Sequence, residues 1–435
     1  MSSERVLLRR GLYADSVTLL QVSRQVGRAA GVQAALVGMA TELNLEMLAG
    51  MGFQPPGSGS PNELFIAVRA ADELAVEAAA ELAQQLLSAP RRPTGGAAAE
   101  QPPRTIGSAA ASTGAGLALI SVPGQHAFTE AMDALDAGCD VLVFSDNVSV
   151  ADEIRLKDAA AGRGLLVMGP DCGTAVVGGL GLGFSHTLDR GPVGLVAASG
   201  TGAQQVLCLL DAAGVGVSAA LGVGGRDLSQ DVAGRSTLAA LRLLDSDPGT
   251  ELILVVSKPP AASVAARIRE VAAGLATPVR FALLGPGQPD LTQATEAVLA
   301  ELAAPVPDWP SWIAAAEPRP GALRGLFCGG TLCDEAMLIA TAELGEVRSN
   351  IALQPDWALD ATLSWPGHLM IDFGDDALTQ GRAHPMIDPS QRNRHLADLL
   401  ADPDTGVVLL DVVLGHGSHP DPVAELLPII GSSPV

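Results

Sequence analysis

Aromatic side chains are scarce in this sequence of 435 residues, in which Phe, Trp and Tyr together make up only 3%. Stacking surfaces for nucleobases or sugar rings are therefore few. Cations are outnumbered as well, since 26 Lys and Arg residues stand against 48 Asp and Glu residues and the formal net charge is −22. Such a surface repels phosphates over most of its area. We therefore expect neither a nucleic acid nor an anionic membrane as a partner.

Paired cysteine motifs are also missing. The five cysteines are scattered without a CxxC pair, at Cys139, Cys172, Cys208, Cys328 and Cys333. This pattern predicts neither a zinc centre nor a disulfide framework. The first residues, "MSSERVLLRRGLYADS", contain no apolar signal core, and no strongly apolar run reaches about 18 residues. These features predict a cytoplasmic protein.

What the sequence does contain is apolar residues, at 48%, with only 17% charged residues. This composition excludes a disordered chain and favours strands that are buried on both faces. The length exceeds that of one ordinary core and predicts about two to four domains.

The amino-terminal part, residues 1–87, is predicted to form a small α/β sandwich, because strand-like and helix-like runs alternate there in the order βαβαβα. The composition changes abruptly over residues 88–115, where Ala, Pro, Gly and Ser predominate without periodicity. Such a stretch is typical of a flexible linker.

From residue 116 onward, strand–loop–helix units alternate regularly. Apolar strands joined by helices predict a parallel sheet covered on both faces. Right-handed crossovers then place the loops that follow the strands along one edge, where ligands bind. We divide this part into a Rossmann-like domain at 116–190, a second α/β domain at 191–304, a linker at 305–320 and a third α/β domain at 321–435.

The last two domains repeat each other. The stretches "VGLVAASGTGAQQVLCLL" and "LRGLFCGGTLCDEAMLIA" each predict a strand, a small-residue turn and a helix, with Gly200-Thr201 matching Gly330-Thr331. Both copies later contain an amphipathic helix, an Asp-Pro turn and a buried strand. This repeat predicts two pseudo-equivalent domains that face each other. The alternative is the general similarity of any two α/β units.

The turn at Ser199, Gly200 and Thr201 is the first candidate anion site. Exposed amides at a helix amino end carry a partial positive charge, glycine lets a phosphate approach the backbone, and the hydroxyl groups add donors. The second repeat has the equivalent turn Gly329, Gly330 and Thr331. Neither turn has the GK[ST] ending of a Walker loop. The alternative is that glycine only permits close packing of helix on strand.

The loop "GPDCGTA" lies at the same predicted edge and supplies candidate ligand contacts from Asp171, Cys172, Gly173 and Thr174. A thiolate at Cys172 could be stabilised by neighbouring amides and act as a nucleophile. A small buried cysteine with no chemistry is the alternative.

Two cations in an acidic protein are candidates for holding a substrate anion. Arg226 follows Gly225 in "GVGGRD", and it could grip a carboxylate or phosphate bidentately or pair instead with a nearby aspartate. Lys258 follows a buried strand in "SKPP", at the same predicted edge.

The long loop "MIDFGDDALTQGRAHPMIDPSQR" ends a strand with Asp372 and then presents Arg382 and His384. This density of charged groups predicts substrate or phosphate contact. Binding of Mg²⁺ or Ca²⁺ would need converging oxygen ligands, which the spacing allows but does not show.

The final candidate is the loop "VLGHGSHPDP". Its glycine neighbours leave the imidazole of His416 accessible, which favours a general acid or base. His419 is interpreted as a support for the turn. A zinc site would require a third ligand such as Asp421 or His384, and no metal is predicted.

Together, "ISVPG", "FSDNV", "MGPDCGTA", "ASGTGAQQV", "GGRDLS", "SKPP", "GGTLCDEA", "DFGDDALTQGRAHPMIDP" and "VVLGHGSHPDP" resemble the FdrA family. The resemblance covers nearly the whole chain outside the first linker. It implies a relative of the succinyl-CoA synthetase α chain, with a Rossmann-like CoA-binding-type domain followed by two flavodoxin-like ligase-type domains.

The chain departs from succinyl-CoA synthetase in two respects. No glycine-rich CoA-phosphate loop precedes residue 116, and the stretch "TPVRFALLGPGQPDLTQ", which corresponds to that family's phosphohistidine loop, contains no histidine. Members of the FdrA family are also associated with an oxamate carbamoyltransferase of several subunits in purine-ureide breakdown. The departures favour this carbamoyl transfer to phosphate, with a nucleotide-dependent acyl-CoA synthetase and a scaffold subunit without catalysis as alternatives.

The resemblance and the candidate residues together predict a division of roles. The two small-residue turns would hold a phosphate or an acyl or carbamoyl phosphate, and His416 would be the acid or base. Arg226, Lys258 or Arg382 would hold the substrate carboxylate. A bound CoA or nucleotide is left open. The expected partners are other subunits or further copies of the chain.

Overall fold

The computed structural model describes residues 3–10, 12, 14, 16–56, 63–88, 103–312, 320–379 and 382–431. It contains two compact units. The first comprises Met1–Pro102 and Asp376–Asp388, and the second comprises Pro103–Asp375 and Pro389–Val435. Half of the predicted linker 88–115 (89–102) and part of the linker 305–320 (313–319) lie outside the described residues.

The first unit is built on a three-stranded antiparallel sheet with the order β1-β3-β2. Its elements up to the first gap are β1 (Ser3–Arg9), α1 (Ser16–Gly27), β2 (Val32–Met39), α2 (Glu42–Gly50), β3 (Leu64–Ala70) and α3 (Glu73–Ser88). The central strand β3 is buried except at Arg69, which pairs with Glu4 at 2.9 Å and covers the ring of Phe53. The predicted α/β sandwich with βαβαβα order is confirmed.

The second unit begins with a parallel sheet of order β4-β5-β6. The elements are α4 (Ile106–Thr113), β4 (Leu117–Ile120), α5 (Gly124–Asp136), β5 (Asp140–Val143), α6 (Val150–Ala161) and β6 (Val167–Met168). Helix α4 lies inside the predicted linker 88–115, so that part of the prediction is corrected. The helix forms because Thr105 and Ser108 make a reciprocal capping box and Gly114 ends it in the left-handed conformation.

A six-stranded sheet follows, with the order β12-β11-β9-β10-β7-β8. Its elements are β7 (Thr174–Val177), β8 (Leu180–Gly183), β9 (Arg190–Ala198), α7 (Gly200–Ala212), β10 (Val217–Gly222), α8 (Arg235–Asp245), β11 (Leu252–Ser257), α9 (Ala262–Ala272), β12 (Val279–Leu283) and α10 (Leu291–Glu301). Strands β9 to β12 are parallel, and the hairpin β7–β8 adds antiparallel to β10. Sequence had placed this hairpin in the preceding domain, but Ala175 and Val176 are buried in the core of the larger sheet.

The last sheet has the order β14-β15-β13-β16 and is parallel. Its elements are β13 (Ala322–Phe327), α11 (Gly330–Leu344), β14 (Val347–Ser349), a 3₁₀ turn at Pro355–Trp357, β15 (His368–Asp372), α13 (Ser390–Ala401), β16 (Thr405–Leu410) and α14 (Pro422–Ile430). The short helix α12 (Asp376–Thr379) belongs to the first unit, together with the residues up to Asp388. Within this unit, the guanidinium of Arg24 donates a hydrogen bond to the carbonyl of Ile387.

The predicted internal repeat is confirmed by the strand order. In the first copy β9 lies between β11 and β10, and in the second copy β13 lies between β16 and β15. Each central strand leads directly into a helix, α7 or α11, whose amino end lies at the carboxyl edge of its sheet. No described helix is both long enough and apolar enough to cross a membrane.

Candidate functional site

The amino ends of α7 and α11 meet each other. Ser199 caps α7 by accepting a hydrogen bond from the N–H of Gly202 at 2.9 Å, and its Oγ lies 2.6 Å from Oγ1 of Thr331. The approach is close on both sides. A Cβ on Gly202 would lie 2.9 Å from Cγ2 of Thr331, and one on Gly329 would lie 2.3 Å from Cγ2 of Thr201. The two predicted turns therefore form one junction, which we call the helix junction, and glycine is needed there for close packing.

The two helix ends differ in their donors. Gly329 has no side chain with which to cap α11. Within the described ranges, no acceptor is bonded to the backbone N–H groups of Gly330, Thr331 or Leu332. Unbonded amides at a helix amino end favour an anion. The amides of the second turn thus remain available to an anion, whereas in the first turn Ser199 already accepts the hydrogen bond of one amide, that of Gly202.

Lys258 stands beside this uncapped end. A Cβ on Gly330 would lie 3.2 Å from Nζ of Lys258 and 3.1 Å from Oδ2 of Asp372, and one on Gly225 would lie 3.9 Å from Nζ. Four residues predicted from different loops are therefore close together. No described residue accepts a hydrogen bond from Nζ of Lys258 or pairs with it within 4 Å. The ammonium group is available to a ligand.

Two buried carboxyl groups adjoin this lysine. Asp372 is 4% exposed and Asp334 is 6% exposed. Burial raises the pKa of each to about 7, although the positive charge of Lys258 acts against the rise. Oδ1 of Asp372 accepts a hydrogen bond from the N–H of Gly374 at 2.8 Å. Carboxyl groups with a pKa near neutrality can both give and take a proton at physiological pH.

Sequence reasoning missed Asp334. It lies one helical turn after Gly330 on α11, and residues four apart on a helix share a face. Its spacing from the small-residue turn was the available signal. Lys258, Asp372, Asp334 and the uncapped amides of α11 together form what we call the lysine–carboxyl site.

A buried ion pair holds the strand end that leads into α11. Both carboxylate oxygens of Asp411 accept from the N–H of Cys328, at 2.9 and 2.8 Å, and Arg392 donates to Oδ1 of Asp411 at 2.8 Å. Arg392 is 2% exposed. It therefore positions the backbone just before Gly329.

Arg226 is occupied by the protein itself. Its guanidinium pairs with Glu153 at 3.1 Å and donates to the carbonyl of Val148 at 2.8 Å. Glu153 also binds the buried Lys157, which in turn pairs with Asp227 at 2.7 Å. The alternative pairing with a nearby aspartate is not what the structure shows, because Arg226 pairs with Glu153 in a network that connects α6 to the loop after β10.

In the loop at 171–174, the side chains of Cys172 and Thr174 are buried and that of Asp171 is exposed. Cys172 is 3% exposed within the core of the large sheet, and burial raises the pKa of its thiol to about 12. A thiolate nucleophile at Cys172 is therefore disfavoured. Thr174 accepts a hydrogen bond from Gln204 at 3.1 Å, and the carbonyl of Gly173 accepts one from Phe184 at 2.7 Å. Asp171 is exposed.

A groove of about 970 Å³ lies between α7 and α11. It is bounded by the end of β16 and by the loops at 184–187 and 411–418. Thr201 of the helix junction and His416 both line it. His416 is exposed, as its glycine neighbours predicted. Lys258 and Asp372 are not among the residues that line this groove, whereas Thr201 of the helix junction is.

His419 supports the loop, as the sequence indicated. Its Nε2 lies 2.9 Å from Oε1 of Glu425, and its Nδ1 accepts from the N–H of Asp421 at 3.1 Å. In the described part of the chain, no group of three His, Cys, Asp or Glu side chains is arranged to hold a metal ion.

Arg382 and His384 belong to the first unit, whereas the residues of the lysine–carboxyl site belong to the second. Burial lowers the pKa of His384 to about 4, and its Nδ1 accepts from the N–H of Met386 at 3.3 Å. The imidazole is thus neutral at physiological pH, and it cannot contribute a positive charge to anion binding.

Two family models match this chain. Residues 1–103 match a model described as AllF, heavy metal-associated domain, and residues 326–433 match a model described as CoA-ligase. The first match implies a metal, but residues 1–103 contain neither cysteine nor histidine. The thiolate and imidazole ligands typical of heavy-metal sites are therefore missing from this domain, which does not fit such a site.

Curated relatives cover different parts of the chain. It is 37% identical over 462 residues to the protein YahF of Escherichia coli (strain K12), a match that covers 98% of this chain and 87% of YahF. It is 31% identical over 160 residues to the alpha subunit of the ADP-forming succinate–CoA ligase of Aquifex aeolicus. That match covers 35% of this chain and 51% of the ligase subunit, so the chain spans about half the length of this relative.

Solved structures give weaker similarities. The ATP citrate lyase of Methanothrix soehngenii is 18% identical, with 42% of this chain and 31% of that chain covered and a TM-score of 0.35. A dinucleotide-forming acetyl-coenzyme A synthetase of Ca. Korarchaeum cryptofilum is 16% identical, with 73% of each chain covered and a TM-score of 0.33.

Proposed function

Because this chain belongs to the FdrA-like family, which its likeness to YahF shows, and contains a CoA-ligase domain, we propose that it is an enzyme of the acid–thiol ligase type. The reaction would join an acyl group to a thiol through an acyl phosphate. The observation that carries the proposal is the lysine–carboxyl site at the uncapped end of α11. It combines an anion-binding backbone, an available ammonium group and two carboxyl groups with a neutral-range pKa.

The phosphate of an acyl phosphate would bind to the N–H groups of Gly330 and Thr331 and to Nζ of Lys258. These groups stabilise the negative charge that grows on phosphate as the carbon–oxygen bond breaks. They are fixed before reaction, because Thr331 is held by Ser199 and the preceding strand end is held by Asp411. Fixed donors need no reorganisation at the moment of bond breaking.

Asp372 or Asp334 would take the proton of the attacking thiol. A carboxyl group with a pKa of about 7 is roughly half ionised at neutral pH and so is available as a base. Sulfur forms a bond to the carbonyl carbon, phosphate leaves, and the proton moves to the carboxylate. Lys258 keeps the carboxylate form accessible by its charge.

The amino end of α5 lacks the glycine-rich loop of a CoA-phosphate site. A Cβ on Gly124 would lie 2.2 Å from the carbonyl oxygen of Asp146, so a side chain does not fit at this position. Helix α5 has no side-chain cap and no glycine-rich loop before it. An acceptor thiol would therefore be held elsewhere, and the proposal requires only that it reach the lysine–carboxyl site.

The second candidate is carbamoyl transfer to phosphate, alone or with further subunits. The observation that favours it is the loop at 284–290 after β12, which contains no histidine for a phosphohistidine relay. The same amides and Lys258 would then bind inorganic phosphate as the nucleophile. His416, which lines the groove, is assigned no role in this chemistry.

The test is an assay of purified chain, with and without the products of neighbouring genes. One arm supplies carboxylic acids, ATP and CoA and measures thioester and phosphate release. The other supplies oxalurate and phosphate and measures carbamoyl phosphate. Thioester formation that is lost in Lys258→Met supports the ligase proposal. Carbamoyl phosphate without any thioester would overturn it in favour of the second candidate.

A further inference from the structure

A thiol and an imidazole face each other in the groove, away from the lysine–carboxyl site. Sγ of Cys208 on α7 lies 3.0 Å from Nε2 of His186, which is in the loop between β8 and β9. Both side chains line the groove of about 970 Å³. Nothing in the lysine–carboxyl chemistry uses either residue.

Cys208 differs from the other four cysteines. It is exposed, whereas Cys139, Cys172, Cys328 and Cys333 are buried. Nδ1 of His186 is buried and has no hydrogen-bond partner among the described residues. Whichever nitrogen carries the proton, one ring position is left unsatisfied when Nε2 bonds to sulfur.

The groove is elongated and has an apolar wall. Thr201, Gln204 and Cys208 follow one another on the same face of α7, and Cys208 lies about 10 Å beyond Thr201 at the usual rise of an α-helix. The opposite wall consists of residues of α11 that are mostly apolar, including Leu332, Ala336 and Ile339. This shape fits a ligand with an extended apolar chain, and the thiol–imidazole pair fits an electrophilic carbonyl on it.

We propose that Cys208 accepts an acyl group from an acyl thioester whose chain lies in this groove, with His186 as the general base. The bond from Sγ of Cys208 to the carbonyl carbon forms, and the bond from that carbon to the sulfur of the donor breaks. The proton of Cys208 passes to Nε2 of His186 and then to the departing thiolate. The products are an acylated Cys208 and a free donor thiol, so no oxidant or nucleotide is consumed.

The pKa shifts of Cys208 and His186 favour a neutral thiol beside a neutral imidazole. Partial desolvation in the groove raises the pKa of the Cys208 thiol, with Asp211 adding to the rise, and partial desolvation lowers the pKa of His186. The proton therefore rests on sulfur, and it must be removed as the carbon–sulfur bond forms. This requirement makes the reaction rate depend on His186.

The test exposes the full chain to the thioester S-butanoyl-N-acetylcysteamine and follows intact mass and peptide maps. We expect one butanoyl group on Cys208, no such group in Cys208→Ser, and at least about tenfold slower labelling in His186→Gln, since general bases contribute factors of this size or more. His126→Gln is the matched control, because His126 is an exposed histidine on α5. It should label at the rate of the unsubstituted chain.

Two results would overturn the inference. One is the absence of label on Cys208 when iodoacetamide modifies the same residue, since the thiol would then be accessible but not acylated. The other is an unchanged labelling rate in His186→Gln. Because neither phosphate nor nucleotide is present, failure here leaves the proposed ligase activity standing, and loss of that activity would not change the labelling.

Discussion

The hydroxyl oxygens of Ser199 and Thr331 lie 2.6 Å apart, although 132 residues separate them in the sequence. Each belongs to the first turn or cap of a helix in one copy of an internal repeat. Ser199 serves two partners, the N–H of Gly202 and the hydroxyl of Thr331. One side chain therefore caps its own helix and joins the two ligase-type domains.

Replacing Ser199 should destabilise the chain more than replacing an ordinary cap. We expect Ser199→Ala to lower the free energy of unfolding by about 2 kcal/mol, because a cap and a buried hydrogen bond are lost together. Ser149 is the matched control, since it caps α6 through the N–H of Asp152, its hydroxyl bonds only the carboxylate of the same residue, and it lies at the surface. Ser149→Ala should cost about 1 kcal/mol or less. Equal losses in urea denaturation would contradict a joining role for Ser199.

Lys258 should contribute more to phosphate affinity than Arg226. Loss of a charge-assisted hydrogen bond costs about 1.5–3 kcal/mol, so Lys258→Met should weaken phosphate binding by about 10-fold to 100-fold. Arg226→Met should leave the affinity unchanged, because its guanidinium already binds Glu153 and Val148. Phosphorus NMR titrations of the two variants check this. Comparable losses in both would contradict the site.

Asp372 should make the chain less stable as the pH rises. Its pKa is about 7 in the folded chain and 3.8 ordinarily, so between these values the folded state holds a proton that the unfolded state has released. Stability from this group is therefore present below about pH 4 and falls as the pH rises toward 7. Since a tenfold change in proton affinity is about 1.4 kcal/mol, the whole effect is on the order of a few kcal/mol.

Asp372→Asn removes this proton and provides the measurement. Relative to the unsubstituted chain, the variant should gain stability between pH 5 and pH 8 in denaturant titrations. The opposite trend would mean that Asp372 is ionised more easily in the folded chain than in the unfolded one.

Breaking the buried pair of Arg392 and Asp411 should be costly. Asp411→Ala leaves the guanidinium of Arg392 buried and the N–H of Cys328 without its acceptor, and we expect a loss of about 3–5 kcal/mol. The exposed pair of Arg163 and Asp136 is the control, and Arg163→Ala should cost less than about 1 kcal/mol. Thermal unfolding of both variants tests the difference, and a small loss in Asp411→Ala would count against the anchoring role.

The grouping of Gly330 with Asp372 could be predicted because the parallel strands β13 and β15 end at one edge of their sheet, which brings their following loops together. Lys258 follows a strand of the other sheet, and its approach to them follows from the repeat, which predicted two domains that face each other. Arg226 could not be assigned in this way. Its partner Glu153 lies 73 residues earlier on a helix of another sheet, and no local pattern records such a pairing.

Asp334, Cys208 and His186 were not predicted as site residues for a different reason. Asp334 and Cys208 lie within helices. A polar residue or a cysteine in a helix is usually solvent-exposed or part of the packing, so the sequence alone does not distinguish it from a site residue. His186 lies 22 residues before Cys208 on a separate segment, so only the packing of that loop against α7 shows the pair. Conversely, Cys172 lies in a promising loop but points into the core, because alternate residues after a buried strand end can still pack inward.

Both helices of the junction are encoded in one chain, and this has a consequence for how the site responds to dilution. Two ends tethered by the same polypeptide meet at an effective concentration that the connecting segment sets and that the amount of protein in solution does not change. The contact between Ser199 and Thr331 should therefore survive at concentrations where an equivalent contact between separate subunits would be lost.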